Sequence, residues 1–224
     1  MQIAVAPNDV QANVDKGVAW LETAVKEFGA ELVVFPETVT TSFVTGLDAN
    51  GLWDLVDEAP GRITRDVQAA AKSLGVHVVW PTYRRGPERG VVYNSAVLIG
   101  PDGEIIGIYD KTHPFPLERC DCGGWVTLGN RADVFETGLG SIGMIICYDG
   151  DFPELSRLLA VKGAEVIARP SALLRSYDIW YITNCARAYD NHVYMLATNS
   201  VGPDAGGSDY FGHSMIVTPI AWRL

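Results

Sequence analysis

This sequence predicts an α/β protein built from sheets layered against helices, and three observations predict it. Short apolar runs such as "AELVVFPE", "GVHVVWPTY" and "IGMIICYDG" read as strands buried on both faces. Between several of them the apolar residues recur every three or four positions, the period of an amphipathic helix. At 224 residues, 48% hydrophobic and 20% charged, the chain is long enough for one large domain, expected to span 1–224, with a substantial core.

The elements follow in order. "QIAVA" predicts a first strand. Val14, Val18, Leu21, Val25 and Phe28, spaced four, three, four and three apart, then predict a helix. With "AELVVFPE" this makes a β-α-β start. Thr64 to Leu74 repeats the helical pattern more weakly through Val67, Ala70, Ala71 and Leu74, and "GVHVVWPTY" follows as a strand. "VYNSAVLIGPDGEIIGIYDK" predicts two strands around a Pro-Asp-Gly turn, an inserted hairpin. After "IGMIICYDG" a helix starts near Pro153 and carries Leu155, Leu158 and Leu159. "AEVIARP" is a strand, Asp178 to Asn191 a helix, and "VYMLATNSVG" and "GHSMIVTP" two further strands. No internal repeat, low-complexity tract or linker interrupts the pattern.

Charge and cysteine usage narrow the function classes. With 17 Lys and Arg against 27 Asp and Glu, the formal charge is −10. An acidic surface gains nothing from a phosphate backbone or an anionic membrane, so neither is an expected partner. No run approaches the roughly 20 apolar residues of a membrane span, and "MQIAVAPNDV" lacks a basic segment ahead of a long apolar one, so a cytoplasmic location is expected. Four cysteines in a chain of this length are not a disulfide framework. Cys120 and Cys122, in "ERCDCGG", form a CxC pair. Such a pair can serve a soft metal or redox chemistry, but no second Cys/His pair stands at zinc spacing.

The stretch "GMIICYDGDFPE" brings Cys147 to the end of an apolar strand, just ahead of a helix start at Pro153. An inert core cysteine is the plain alternative. A thiol near a helix amino terminus instead gains stabilisation of its thiolate, and the backbone N–H of Tyr148 would point at an oxyanion formed on a carbonyl attacked by Cys147. Two other apolar runs end in the same way: "LVVFPE" on Glu37 and "IIGIYDK" on Lys111. Each could be a solvated strand end. Together the three deliver a base, a cation and a nucleophile to the carboxyl edge of a sheet, where α/β folds keep their sites.

The segments "AELVVFPE", "GIYDKTHPF" and "GMIICYDGDFPE" resemble the Glu, Lys and Cys signatures of the carbon-nitrogen hydrolase (nitrilase) superfamily, in the family's order, with 74 residues from Glu37 to Lys111 and 36 from Lys111 to Cys147. "YNSAVLIGPDGEIIGIY", "KGAEVIARPSA", "ARAYDNHVYMLATNSVG" and "FGHSMIVTP" are similar to it as well, so the likeness runs through nearly the whole chain. The resemblance implies an α-β-β-α sandwich of two mixed sheets flanked by helices. It further implies a homodimer formed through the helical face, and a thioester mechanism on a small-molecule amide with neither metal nor organic cofactor. Glu118, seven residues after Lys111, resembles the second glutamate that many members place near the lysine. His113 is similar to the histidine of a "KxH" stretch that orients the loop, and with Phe43 and Tyr148 it is assigned to substrate and oxyanion binding. Arg187 and Asn191 match a structural part of the family's helix after the nucleophile.

The chain also departs from the family. The loop in "AVAPNDVQAN" is short, and the family continues beyond "SMIVTP", so residues are expected to be missing near 6–7 and after 217. Asp110 stands where a basic residue is common. Gly150 and Asp151 occupy the positions of arginines that neutralise a carboxylate in members acting on N-carbamoyl amino acids, and Asp151 would repel such a group. Tyr148, Asp149 and Gly150 are closer to the amidase and formamidase branches than to nitrilases proper. The expected reaction is therefore hydrolysis of a small neutral amide to a carboxylic acid and ammonia. N-carbamoyl and nitrile substrates remain the enzymatic alternatives, and a non-catalytic scaffold of the same fold is the alternative of another class.

Overall fold

A computed structural model describes residues 1–224. The helices are α1 (Val10–Phe28), α2 (Ala49–Leu55), α3 (Arg62–Leu74), α4 (Pro153–Val161) and α5 (Tyr177–Asn191). One sheet has the order β1 (Leu32–Val34), β2 (His77–Arg85), β3 (Val92–Ile99), β4 (Ile105–Asp110), with β1 and β2 parallel and the rest antiparallel. The second contains β5 (Val134–Thr137), β6 (Gly140–Met144), β7 (Val166–Ser171), β8 (Tyr194–Asn199) and β11 (Met215–Val217), in the order β11-β8-β7-β6-β5. Its centre, β6-β7-β8, is parallel and both edges are antiparallel. A two-stranded ribbon, β9 (Val201–Pro203) and β10 (Asp209–Phe211), stands apart.

Strand alternation sorts the first sheet's side chains into two cores. Val33, Val78, Trp80, Val97 and Ile99 pack with Val14 and Leu21 of α1 and with Ile63 and Val67 of α3. Their neighbours Val34, Val79, Ala96 and Leu98 face the other way and join Met144, Ile167, Met195 and Ala197 of the second sheet, together with Leu155 and Leu159 of α4 and Trp180 of α5. The layers are thus helix, sheet, sheet, helix, as the resemblance implies. Gly17 explains how closely α1 lies on the sheet: a Cβ there would stand 2.5 Å from the Trp80 ring.

Local signals set the ends of these elements. Asp9 caps α1 by accepting the Ala12 N–H, and Gly29, at φ 63°, closes it in the left-handed region. The β3–β4 turn closes with Gly103 N–H donating to Gly100 O at 2.9 Å, and Gly103 takes φ 82°.

Several expectations need correction. "QIAVA" is not a strand; it contributes a single bridge, Ala4 to Val201, while Ile3 and Val5 are buried. Phe28 ends α1 largely exposed, because the buried stripe runs through Val10, Asn13, Val14, Gly17, Leu21 and Ala24 instead. "VYMLATNSVG" divides into β8 and β9. Three elements are additional: α2, whose seven residues are too few to show a helical period, β5, a four-residue edge strand that is nowhere fully buried, and β10, three residues that pair only with β9.

Candidate active site

Strand ends build the site. Glu37 follows β1, Lys111 directly follows β4, Cys147 follows β6 and Ala172 directly follows β7. Backbone bonds extend the strands to these points: Phe35 N–H donates to Val79 O, Lys111 N–H to Asn94 O, and Ile145 N–H to Ala168 O. Because β3 runs antiparallel to its neighbours, its beginning lies at the same edge, and this puts Asn94 among them.

The side chains converge out of solvent. Lys111 Nζ donates to Glu37 Oε1 at 2.8 Å and also to Glu118 Oε1. Asn94 Nδ2 bridges the same two carboxylates, at 2.8 Å from Glu37 Oε1 and 3.2 Å from Glu118 Oε2. Glu37 Oε2 accepts the Ala172 N–H at 2.8 Å, and Glu118 Oε1 accepts the Phe115 N–H at 2.8 Å. Glu37, Lys111, Glu118 and Asn94 are all fully buried. Burial alone would favour a neutral lysine, but the Glu118 and Glu37 carboxylates outweigh it and hold the Lys111 ammonium above the ordinary range. Burial raises the Glu118 carboxyl, Lys111 opposes this, and the second carboxylate at Glu37 adds to it.

Cys147 sits in a strained position, at φ 45°, at the start of a 3-10 turn, Cys147–Asp151. Helix α4 does begin at Pro153, but this turn stands between it and the sulfur. The expected stabilisation of the thiolate is accordingly corrected. Burial and the Glu37 carboxylate push the Cys147 thiol up, against partial opposition from Lys111, Arg169 and the Ala172 N–H, so the resting residue carries its proton.

Asp149 fastens the turn to the loop after β4. It is fully buried and accepts from Tyr109 Oη at 2.7 Å, Ile146 N–H at 2.8 Å and His113 N–H at 2.9 Å. At the far end of the turn, Arg187 donates to the carbonyls of Gly150 and Asp151 at 3.2 and 3.3 Å. Asn191 Nδ2 donates to the Arg187 carbonyl at 2.8 Å, so both residues of that helix sit in structural contacts.

A cavity of about 70 Å³ opens onto Cys147. Phe43, Phe115, Tyr148 and Leu173 are among its lining residues, most of which are hydrophobic, and Arg175 is its charged side chain. Phe43 and Tyr148 therefore line the space in front of the sulfur, while Glu37, Lys111 and Glu118 are not among its lining residues. His113 does not line it: its half-exposed ring stacks on Phe152 at 4.1 Å and its Nδ1 lies 3.3 Å from Asp149. A larger apolar groove between Met1, Leu32 and Leu196 contains none of these groups.

Two acidic residues look different in three dimensions. Asp110 accepts both terminal contacts of Arg84 Nη2 at 2.9 Å, which balances its charge beside Lys111. Asp151 is paired with Arg175 and lies 3.6 Å from Arg169. The repulsion expected of Asp151 toward a substrate carboxylate is thus offset by two arginines. Cys120 and Cys122 are exposed on a short turn after Glu118, and no group of three or more His, Cys, Asp or Glu side chains is placed to hold a metal.

Sequence reasoning missed Asn94, Asp149, Arg169 and the Ala172 N–H. A signal existed for two: Asn94 and Arg169 are polar residues inside runs, "VYNSAVLI" and "AEVIARP", that otherwise read as buried strands.

Comparison with known proteins places the chain in a family. The carbon-nitrogen hydrolase family matches residues 1–222. A nitrilase from Pyrococcus abyssi is 36% identical over 213 residues, covering 92% of this chain and 77% of that protein. An omega-amidase from Danio rerio is 29% identical over 210 residues, covering 88% and 73%. A solved structure of a mutant amidase from Nesterenkonia sp. AN1, with the acetamide moiety of fluoroacetamide added covalently at its active-site cysteine, superposes with a TM-score of 0.85 at 26% identity, covering 100% of this chain and 82% of that one. No helix is long and apolar enough to cross a membrane.

Proposed function

This chain belongs to the carbon-nitrogen hydrolase family and is a hydrolase of non-peptide C–N bonds, and we propose that it is a cysteine amidase that converts a small neutral amide to a carboxylic acid and ammonia. One observation carries the reading: a fully buried Glu37–Lys111–Glu118 cluster, whose Glu37 and Lys111 charges act on Cys147, accompanies a cysteine that lines a small apolar cavity.

The chemistry follows from the protonation states. Cys147 begins as a thiol, so it needs a base. Glu37 takes the proton as the sulfur bonds to the amide carbon and the carbonyl π pair moves onto oxygen. Lys111 and the Tyr148 N–H stabilise this oxyanion; Tyr148 is the second residue of the turn, whose first N–H groups have no partner within it. Collapse of the intermediate breaks the C–N bond, and Glu37 returns its proton to the departing ammonia. Water then gives a proton to Glu37 and attacks the thioester, and the C–S bond breaks with the proton restored to sulfur. Glu118 and Asn94 keep Lys111 and Glu37 in register. No step calls on a metal or an organic cofactor.

The cavity supports a small uncharged substrate, since its wall is aromatic and aliphatic and its arginine is already paired. Arg175 favours a second reading. Released from Asp151, it would meet a carboxylate at the far end of an amide or N-carbamoyl acid. Ammonia release from a panel of neutral amides, carboxylate-bearing amides, ureido acids and nitriles tests both. A kcat/KM higher for a carboxylate-bearing substrate than for every neutral amide would replace the first reading with the second.

Homodimerisation is part of the same reading. Val161 of α4 and Ile182 and Tyr189 of α5 are exposed apolar residues on the outer helical layer, suited to packing against a second copy. Sedimentation of the wild type and of Ile182→Asp tests it.

A further inference from the structure

Arg169 is a charged residue in the middle of an apolar strand, and it is fully buried in β7. Burying a guanidinium is costly unless its donors are used. Here they are. Nε and Nη2 both donate to the carbonyl oxygen of Cys147, at 3.0 and 2.8 Å. Nη1 donates to Thr183 Oγ1 at 2.9 Å and to Asn184 Oδ1 at 2.8 Å, and the Trp180 ring centroid lies 5.1 Å from Cζ. Those three residues share one face of α5 by their spacing. Asp151 supplies the counter-charge at 3.6 Å from Nη2.

Gly150 makes room for this arrangement. A Cβ at that position would stand 2.1 Å from Arg169 Cζ, yet Gly150 is not among the residues of positive φ. The glycine is needed because of the guanidinium, not the backbone conformation. Sequence positions 147, 150, 151 and 169 therefore form one fitted unit around the sulfur-bearing residue.

We infer that Arg169 is the positioning residue of the nucleophile: its fork on the Cys147 carbonyl holds the cysteine in the left-handed conformation that faces the cavity, and its charge stabilises the negative charge that the sulfur passes through. Burial lowers the guanidinium to about 10, which leaves it charged at neutral pH, and its charge offsets part of the burial that raises the thiol. The inference rests on the reading of Cys147 as the nucleophile.

Alkylation by 2-iodoethanol, which carries no amide, read at the Cys147 peptide by mass spectrometry from pH 6 to 11, measures the sulfur without any substrate. The variants are Arg169→Met, which removes charge and fork, Arg169→Lys, which keeps the charge, and Gly150→Ala, which pushes the guanidinium away without deleting it. In Arg169→Met the alkylation rate at each pH should fall about tenfold or more, as a thiol midpoint raised by about one pH unit or more requires, and Arg169→Lys should recover a large part of that loss. For ammonia release, kcat should fall about a hundredfold in Arg169→Met with KM changed less than about threefold. Gly150→Ala should move both readouts in the same direction by a smaller amount. If Arg169→Met does not fold, Gly150→Ala decides alone. Alkylation profiles that superpose on the wild type in the folded variants would overturn the inference, even if kcat fell. A wild type that releases no ammonia would instead defeat the hydrolase reading while the alkylation shift still reported on Arg169.

Discussion

Lys111 Nζ lies 2.8 Å from Glu37 Oε1, and neither side chain has any exposure to solvent. A cation and an acid so placed are interdependent, since removing either leaves the other charged and buried. Glu37→Gln keeps the shape of the site and removes the base. Ammonia release should fall by at least about two orders of magnitude, with the fold retained. Near-normal turnover in this variant would remove Glu37 from the mechanism.

Lys111→Ala should differ from Glu37→Gln in a second measurement. It abandons two buried carboxylates, Glu37 and Glu118, to a site with no other ammonium. Stability should drop by about 3–5 kcal/mol in denaturant unfolding, alongside the loss of activity. A stability equal to that of the wild type would show that the carboxylates take up protons or partners that the present geometry does not contain.

Asn94 is the shared donor to both carboxylates. Asn94→Leu should cost about 1–3 kcal/mol through the acceptors it strands, and kcat should fall while KM stays nearly constant, because the residue does not line the cavity. An effect confined to KM would place Asn94 against the substrate instead.

The raised Cys147 thiol predicts a signature in alkaline solution. A group that holds its proton more tightly when folded contributes stability fully below its unfolded pKa, about 8.5 for cysteine, and loses it as the pH rises toward the folded value. Relative to Cys147→Ala, the wild type should therefore lose stability between about pH 8 and pH 10, with a slope approaching about 1.4 kcal/mol per pH unit. Unfolding curves at a series of pH values check this. A difference between the two proteins that is flat with pH would mean that the thiol is unshifted.

Phe43 lines the cavity and its ring centroid is 5.5 Å from Lys111 Nζ. Phe43→Ala should enlarge the space in front of Cys147 and shift the preference among neutral amides toward longer acyl chains. An unchanged order of kcat/KM across such a series would argue that the acyl group lies elsewhere.

Much of this site was legible because apolar runs end abruptly on chemistry. Glu37, Lys111 and Cys147 each close a strand-like segment, so the sequence places them at one edge before any coordinates are known. Glu118 is legible only through the family resemblance, since nothing in "KTHPFPLE" indicates that the loop folds back to bury it. The unforeseen parts depend on crossings between segments. Asn94 reaches the edge because β3 is antiparallel, and Arg169 meets the Cys147 carbonyl 22 positions away in sequence. The thiolate expectation failed because the rest of the 3-10 turn that begins at Cys147 stands between the sulfur and α4, and because burial raises the thiol. In the fold, the lost first strand and the unforeseen α2 share one cause: segments this short are set by tertiary contacts and carry too few residues for a period.

The central claim is that Cys147 is the nucleophile of an amidase, and ammonia release by the wild type and by Cys147→Ala, measured across one panel of small neutral amides, tests it most directly. The wild type should release ammonia from at least one of them, and Cys147→Ala should release none above the uncatalysed rate. Turnover by Cys147→Ala comparable to the wild type, or no release by either protein, would contradict it.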